Sequence, residues 1–344
     1  MKYNCMNNIV ESSQIEWNKT TKKELLQYCV GGLLYMPATN VKIADKIMKN
    51  TYPNLKSMVL CLEDSIGDTR VEEAERCVKK VLEKLYQALI QKKLTLNQIP
   101  LIFVRVREPG HLTRILKKCK KNVVNSILTG VVFPKFAPSN AVDYINEFKE
   151  MQKQGYHLYM MPILESKEII YKQTRIENLL KIDDLLKPIS EKVLNIRIGA
   201  TDFSGIYGVR RDIDNTIWDL KLISDCMIDI LNVFVRNYVV SGPVWEFFGE
   251  DESQEWAKGL KLELKKDKLN GIIGKTCIHP SQLKIVQESL TVSKRDYEDA
   301  VGVLGMSSDI IGVEKSNNRM NEVKTHYNWA RKTVCLANIY GIRQ

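Results

Sequence analysis

Eight short apolar runs recur along the chain, and each passes into polar or charged residues before a helical stretch begins. They are LLYMPA (33–38), SMVLCLED (57–64), LIFVRVR (101–107), GVVFPKF (130–136), HLYMMPILE (157–165), VLNIRIGATD (193–202), YVVSGPVWEF (238–247) and GIIGKTCIHP (271–280). Continuous apolar runs suit strands buried on both faces, as in parallel sheets. The segments between them carry the spacing of amphipathic helices. Asp68–Leu89 has an acidic first turn and apolar residues at 71, 74, 78, 81, 82 and 85. Ser139–Gln154 opens on Ser139 as a candidate N-cap, and Trp218–Phe234 and Ser281–Leu290 follow the same pattern. Eight strand–helix units over roughly 250 residues predict a (β/α)8 TIM barrel, with a doubly wound open sheet as the alternative. This places an N-terminal extension over 1–30, the barrel over 31–290 and a helical tail over 291–344. In the tail a polar loop, Ser307–Asn321, precedes Trp329, Val334, Leu336 and Ile339 at helical spacing. That apolar stripe needs a surface to cover it, and a homo-oligomer is the expectation, with packing on the chain's own barrel as the alternative.

Composition narrows the class without naming a function. The 344 residues are 44% hydrophobic and 27% charged, which excludes intrinsic disorder. No run approaches the ~20 apolar residues of a membrane helix. The first thirty residues lack the apolar core of a signal peptide, so a cytoplasmic protein with no membrane partner is expected. The net charge of +10 concentrates in Lys117, Lys118, Lys120 and Lys121, and in Lys261, Lys265, Lys266 and Lys268. Both clusters read as solvated helix faces, the second interleaved with Glu263 and Asp267. Neither carries the aromatics that stack on bases, so nucleic acid is not an expected partner. The eight cysteines include no CxxC pair, which fits a reducing compartment. GIIGKT (271–276) has the GKT half of a phosphate-binding loop, but Leu269 stands where its first glycine belongs.

The candidate chemistry lies at the strand ends. In a barrel the C-terminal ends of the strands carry the site. Here they present Glu63 and Asp64, Arg105 and Arg107, Lys135, Glu165, Asp202 and His279. So many charges at one mouth must be paired, hydrated or metal-bound, since burying an unpaired ion costs several kcal/mol. Glu165 and Asp202 end adjacent strands, which lie ~4.8 Å apart. Two carboxylates at that spacing repel unless a cation lies between them. Oxygen donors without nearby histidine or cysteine point to Mg2+ or Mn2+ rather than zinc. A glycosidase-like acid and nucleophile is the alternative for the pair. Arg105 and Lys135 suit a small anionic substrate better than a neutral sugar. His279 precedes Pro280 and reads as a turn histidine bound to backbone.

These segments resemble the citrate lyase β-subunit/HpcH–HpaI aldolase superfamily, and more closely its branch of TIM-barrel C–C bond lyases. The resemblance rests on LLYMPAT, VLCLEDSIGD, FVRVRE, VVFPKF, PILES, IRIGATDFSGIYGVRRD and GIIGKTCIHPSQL, in order over about residues 31–300. It implies a Mg2+-dependent barrel that cleaves or forms a carbon–carbon bond through an enolate. By position it implies Glu165 and Asp202 as metal ligands and Arg105 as the group that holds the substrate carboxylate. It also implies the acidic pair Glu63 and Asp64 after the second strand, and Pro134, Ala200 and Thr201 against the substrate. Lys135 adds positive charge or orients Asp64, with a structural strand-end salt bridge as the alternative. Relatives often contribute an Asp from a neighbouring subunit; the similar stretch here, RMNEVKTHYNWARK (319–332), has Glu322 in that place. The usual Pro-Gly and Arg after the first strand read Pro37-Ala38-Thr39-Asn40, so the Arg that often helps hold substrate or phosphate is missing. An acyl-CoA or other thioester is a possible substrate rather than an assumed one. The general base stays open among bound water, Asp64 and Glu322 of another chain.

Overall fold

The computed structural model of the chain describes residues 15–306, 313–316 and 319–343. Eight parallel strands form the central sheet: β1 (Gly32–Pro37), β2 (Ser57–Cys61), β3 (Leu101–Arg105), β4 (Leu128–Phe133), β5 (Tyr159–Leu164), β6 (Ile196–Ile198), β7 (Val240–Ser241) and β8 (Lys275–Cys277). Neighbours in sequence are neighbours in the sheet, and β1 also pairs with β8. A parallel bridge between Gly242 and Lys275 joins β7 to β8 and closes the ring. This is the TIM barrel, not the open sheet.

Alternation along the strands sorts the side chains. Leu34, Met36, Met58, Leu60, Ile102, Val104 and their equivalents face outward into the core shared with the helices. The intervening positions, among them Tyr35, Phe103, Arg105 and Arg197, therefore face the barrel axis. β6, β7 and β8 are shorter than their apolar runs, because those runs continue into the loops that build the mouth.

Of the expected helices, Asp68–Leu89 is a short 3-10 turn (Asp68–Arg70) followed by the helix Val71–Ile90. The helix expected from Ser139 begins at Ala141, and Asn140, not Ser139, occupies the cap. Ser139 donates instead to Glu168, and Asn140 Oδ1 accepts from Ala137 N. The second basic cluster departs further from expectation. On the Glu255–Leu269 helix, Glu263 and Asp267 are not solvated but buried against the barrel wall. There Lys275 Nζ lies 2.7 Å from each of them, Arg211 Nη1 donates to Glu263 at 2.7 Å, and Trp218 Nε1 donates to Asp267 at 2.8 Å. Lys275, the lysine of the failed phosphate-loop motif, is thus a buried structural cation.

Residues 17–289 make up the barrel unit. The described residues from Leu290 onward, with Ile15 and Glu16, make up a second compact unit. In it the helices Lys294–Gly305 and Val323–Tyr340 pack on a small core of Ala300, Val303 and Ala330. Trp329 and Val334 lie against that core, so part of the tail's apolar stripe is covered within the unit. Within the expected polar loop, Val313–Ser316 and Arg319–Glu322 form an antiparallel hairpin, while 307–312, 317 and 318 lie outside the described residues.

Candidate active site

The mouth is organised by Arg105, the last residue of β3, whose side chain points up the barrel axis and is 6% exposed. Its Nη2 lies 2.9 Å from Glu63 Oε2 and 2.9 Å from Glu165 Oε1, and its Nη1 lies 2.9 Å from Asp64 Oδ2. One guanidinium therefore ties the loop after β2 to the end of β5. Burial works against its charge, but Glu165 and the other anions around it outweigh that and hold Arg105 firmly protonated. Arg107, two residues on, clamps the same loop from behind. Its Nη1 donates to the carbonyls of Leu62 and Ile66, each at 3.0 Å, which bracket the acidic pair.

Lys135 follows β4 and Pro134, and contributes twice. Its Nζ lies 2.7 Å from Glu63 and 3.7 Å from Asp64. Its backbone N–H donates to Glu165 Oε1 at 2.9 Å. The residue sits at φ 48°, in the left-handed region, which costs a non-glycine residue of order 1 kcal/mol. The turn aims the N–H at the carboxylate.

Glu165, one residue past β5, is 4% exposed. Its side chain folds over Gly199, where a Cβ would lie 2.2 Å from Oε2; only glycine fits beneath it. Asp202 belongs to the first turn of the Ala200–Tyr207 helix, just beyond β6, rather than to the strand end itself. Its carboxyl comes within hydrogen-bonding range of Glu165. Two carboxyls in contact must share a proton or a cation. Burial first, then Asp202, push the Glu165 carboxyl up to about 8, against the pull of Arg105. Asp202 is raised by burial and by Asp64. Asp64, although partly buried, is held below the usual range by Arg105.

Most of the expected site residues thus converge. Thr201 and Asp202 line an open cleft of about 680 Å³ with Asp64, Lys167, Gly205 and Ile206. Pro134 and Ala200 are buried and are not among the residues that line it. His279 lies apart from the acidic cluster's hydrogen bonds. Its Nδ1 accepts from Ser281 N at 3.3 Å, and its ring stacks on Phe248 with centroids 4.6 Å apart. Glu322 ends the hairpin of the second unit, where its N–H donates to His326.

Sequence reasoning missed Lys167, the left-handed turn at Lys135, and Arg197, which is buried in the barrel interior. Arg197 was legible in principle: it shares parity with Gly199 on an inward-facing strand position.

The residues fit a divalent cation. Glu63, Asp64, Glu165 and Asp202 set four carboxyl groups against Arg105 and Lys135. Among the described residues no three metal-ligating side chains converge on one point. Two carboxylates, with water or substrate completing the shell, are what Mg2+ ordinarily takes from a protein. Glu165 and Asp202 are the pair in contact.

Residues 24–342 match the family described as C–C bond lyases of the TIM-barrel fold. No curated protein sequence matches the chain. Among solved structures, one similar fold is the protein CitE from Mycobacterium tuberculosis in complex with magnesium, acetoacetate and coenzyme A. It is 16% identical, with TM-score 0.57, covering 90% of this chain and 99% of that one. A citrate lyase from Burkholderia xenovorans LB400 is 13% identical, with TM-score 0.62 over 91% of this chain and 93% of that one. RipC from Yersinia pestis is 16% identical, with TM-score 0.52 over 78% and 99%. At these identities the likeness is one of fold.

Proposed function

Since the chain belongs to the C–C bond lyases of the TIM-barrel fold, we propose that it cleaves or forms a carbon–carbon bond in a small carboxylate-bearing hydroxyacid or acyl thioester, with Mg2+ held by Glu165 and Asp202. The observation that carries this reading is the excess of carboxyl groups over cations at the mouth, where Asp202 lies against a Glu165 already tied to Arg105. When bound, Mg2+, or Mn2+ with the same taste for oxygen donors, supplies Lewis acidity where bond cleavage deposits negative charge.

The chain's own residues do the rest. Arg105 offers a planar fork for the substrate carboxylate. Its Nη1 is occupied by Asp64, whose side chain is 54% exposed and free to swing away. Glu63, buried and held by both Arg105 and Lys135, stays in place. Substrate therefore displaces Asp64. Once released from Arg105, that carboxylate becomes more basic and is placed to take the hydroxyl proton. Lys135 keeps positive charge beside the departing carboxylate. Thr201 lines the cleft, and in this reading Pro134 and Ala200 also meet the substrate.

The same reading includes a homo-oligomer, in which Glu322 of another copy adds a carboxylate. It no longer draws on the tail's apolar stripe, part of which is already covered. Cytoplasmic placement belongs to it too. Among the described residues no helix is long and apolar enough to cross a membrane. The experiment is an assay of pyruvate, oxaloacetate, glyoxylate and acetyl-CoA release from a panel of hydroxyacids and their CoA thioesters. Product that disappears with EDTA and in Asp202→Asn is the expected outcome. No product across the panel, from protein that still binds Mg2+ and oxalate, would leave a binding protein on the lyase fold.

A further inference from the structure

The cleft at the mouth continues past Asp202 along one face of the Ala200–Tyr207 helix. Thr201 and Gly205 stand one turn apart on that helix, as do Asp202 and Ile206, and all four line the cleft. A Cβ at Gly205 would meet nothing within 4 Å, so the floor is open there. Ile206 beside it is apolar and half-buried. At about 680 Å³ the cleft has room for a ligand well beyond the two carbons of oxalate.

Lys167 is the one cation among the described residues that line this cleft. It opens the short helix Lys167–Ile170, which packs against the Ala200–Tyr207 helix. It is exposed, and among the described residues its ammonium has neither an ion-pair nor a hydrogen-bond partner. Asp64 and Asp202 share the lining, yet Lys167 pairs with neither. The other cations of the mouth are taken. Arg105 is held by Glu63, Asp64 and Glu165, Lys135 by Glu63 and Asp64, and Arg107 by Asp68. An open apolar floor with an unpaired cation in its wall suits a chain that ends in an anion.

We propose that Lys167 is a specificity-determining residue, binding a second anionic group at the far end of a substrate whose reacting carboxylate sits at Arg105. The substrate class is a 2-oxo or 2-hydroxy acid whose short aliphatic chain lies over Gly205 and Ile206 and ends in a carboxylate or a phosphate. This rests on the proposed function, which places the reacting end between Arg105 and the Glu165–Asp202 pair.

The probes are acids that share one chain and differ at its end, titrated calorimetrically with Mg2+. They are 2-oxopentanoate, 2-oxoglutarate and 2-oxo-4-phosphonobutanoate, which end in methyl, carboxylate and phosphonate. Wild type prefers a charged end to methyl by about fivefold, the upper range for an ion pair at an exposed site. Lys167→Met removes the preference and Lys167→Arg keeps it, whereas a lysine that merely supports the fold would alter all three affinities alike. The larger of the two charged-end preferences tells carboxylate from phosphate. No preference in wild type, or one that survives in Lys167→Met, overturns the proposal. Gly205→Leu fills the floor and weakens the chain acids relative to oxalate; affinities that move together also overturn it. Wild type that binds oxalate but shows no charged-end preference removes the role of Lys167 alone. Wild type that binds neither oxalate nor any chain acid overturns the proposed function and this inference together.

Discussion

Two clusters of buried charge belong to the same barrel and differ in whether their charges balance. Outside the strands, Arg211 and Lys275 meet Glu263 and Asp267, two cations for two buried carboxylates, with Trp218 adding a donor; the less buried Glu246, 3.7 Å from Arg211, has Arg210 as a further partner. Burial disfavours the Lys275 charge, but Asp267 and Glu263 more than restore it. At the mouth, Arg105 and Lys135 meet Glu63, Asp64 and Glu165, and Asp202 adds a further carboxyl against Glu165. The first cluster is complete as it stands and locks a helix to the barrel wall. The second has more carboxyls than cations, an excess that the proton held on Glu165 relieves and that, in the reading proposed above, a divalent cation would relieve in its place. Charge balance, rather than burial or ion-pair distance, separates a joint from a site.

The largest effect that could break this comparison is on the balanced side. Lys275→Met leaves Asp267 buried without its cation and Glu263 with Arg211 alone, which costs about 3–5 kcal/mol. Asp202→Asn, in contrast, relieves repulsion in the metal-free protein and costs little. Denaturant titration of both variants checks this, and a reversal of their order would undo the distinction. Next in size is Arg105→Lys, which keeps charge but loses the fork. Oxalate binding weakens by roughly 2 kcal/mol while the fold persists. A collapse in Tm with affinity per folded molecule intact would make Arg105 structural.

The pH dependence is subtler. The Glu165 carboxyl, at about 8 in the folded protein because of burial and then Asp202, stands well above the ~4.3 of an unfolded glutamate. The folded chain then holds a proton that the unfolded chain has released. Its contribution to stability is full below the unfolded value and is lost as pH rises through about 8. Mg2+ must displace that proton, so its stabilising effect grows over the same window. Melting with and without Mg2+ should show a larger shift at alkaline than at mildly acidic pH; equal shifts would contradict the assignment. The smallest effect belongs to Lys135→Gly. Relief of the turn at φ 48° offsets the loss of a half-exposed ion pair, so stability changes by less than about 1 kcal/mol. A loss of several kcal/mol would mean that the Lys135 side chain, not its backbone, holds the loop.

The barrel was legible because eight apolar runs alternate with amphipathic helices, and the charges at the strand ends marked the mouth. What stayed hidden follows from information that linear spacing does not carry. Glu263 and Asp267 read as solvated because they sit among lysines, yet helix rotation turns these two inward and Lys261 and Lys265 outward. Lys275 looked like a fragment of a nucleotide motif, and only its partners on a neighbouring helix reveal its role. Asp202 was assigned to the correct end of β6 but enters from a helix turn. The dependence of Glu165 on Gly199 is a contact across 34 positions that no pattern announces.

The central claim is that the mouth's excess of carboxyl groups is a Mg2+ site, and calorimetric titration of Mg2+ in the presence of oxalate tests it most directly. Wild type, Glu165→Gln and Asp202→Asn are compared at alkaline pH, where Glu165 is ionised. The account predicts saturable binding to wild type and affinity lower by about tenfold or more in each variant, with both variants still folded in the absence of metal. Wild type that binds no Mg2+ even with oxalate, or variants that bind it as tightly as wild type, would contradict it.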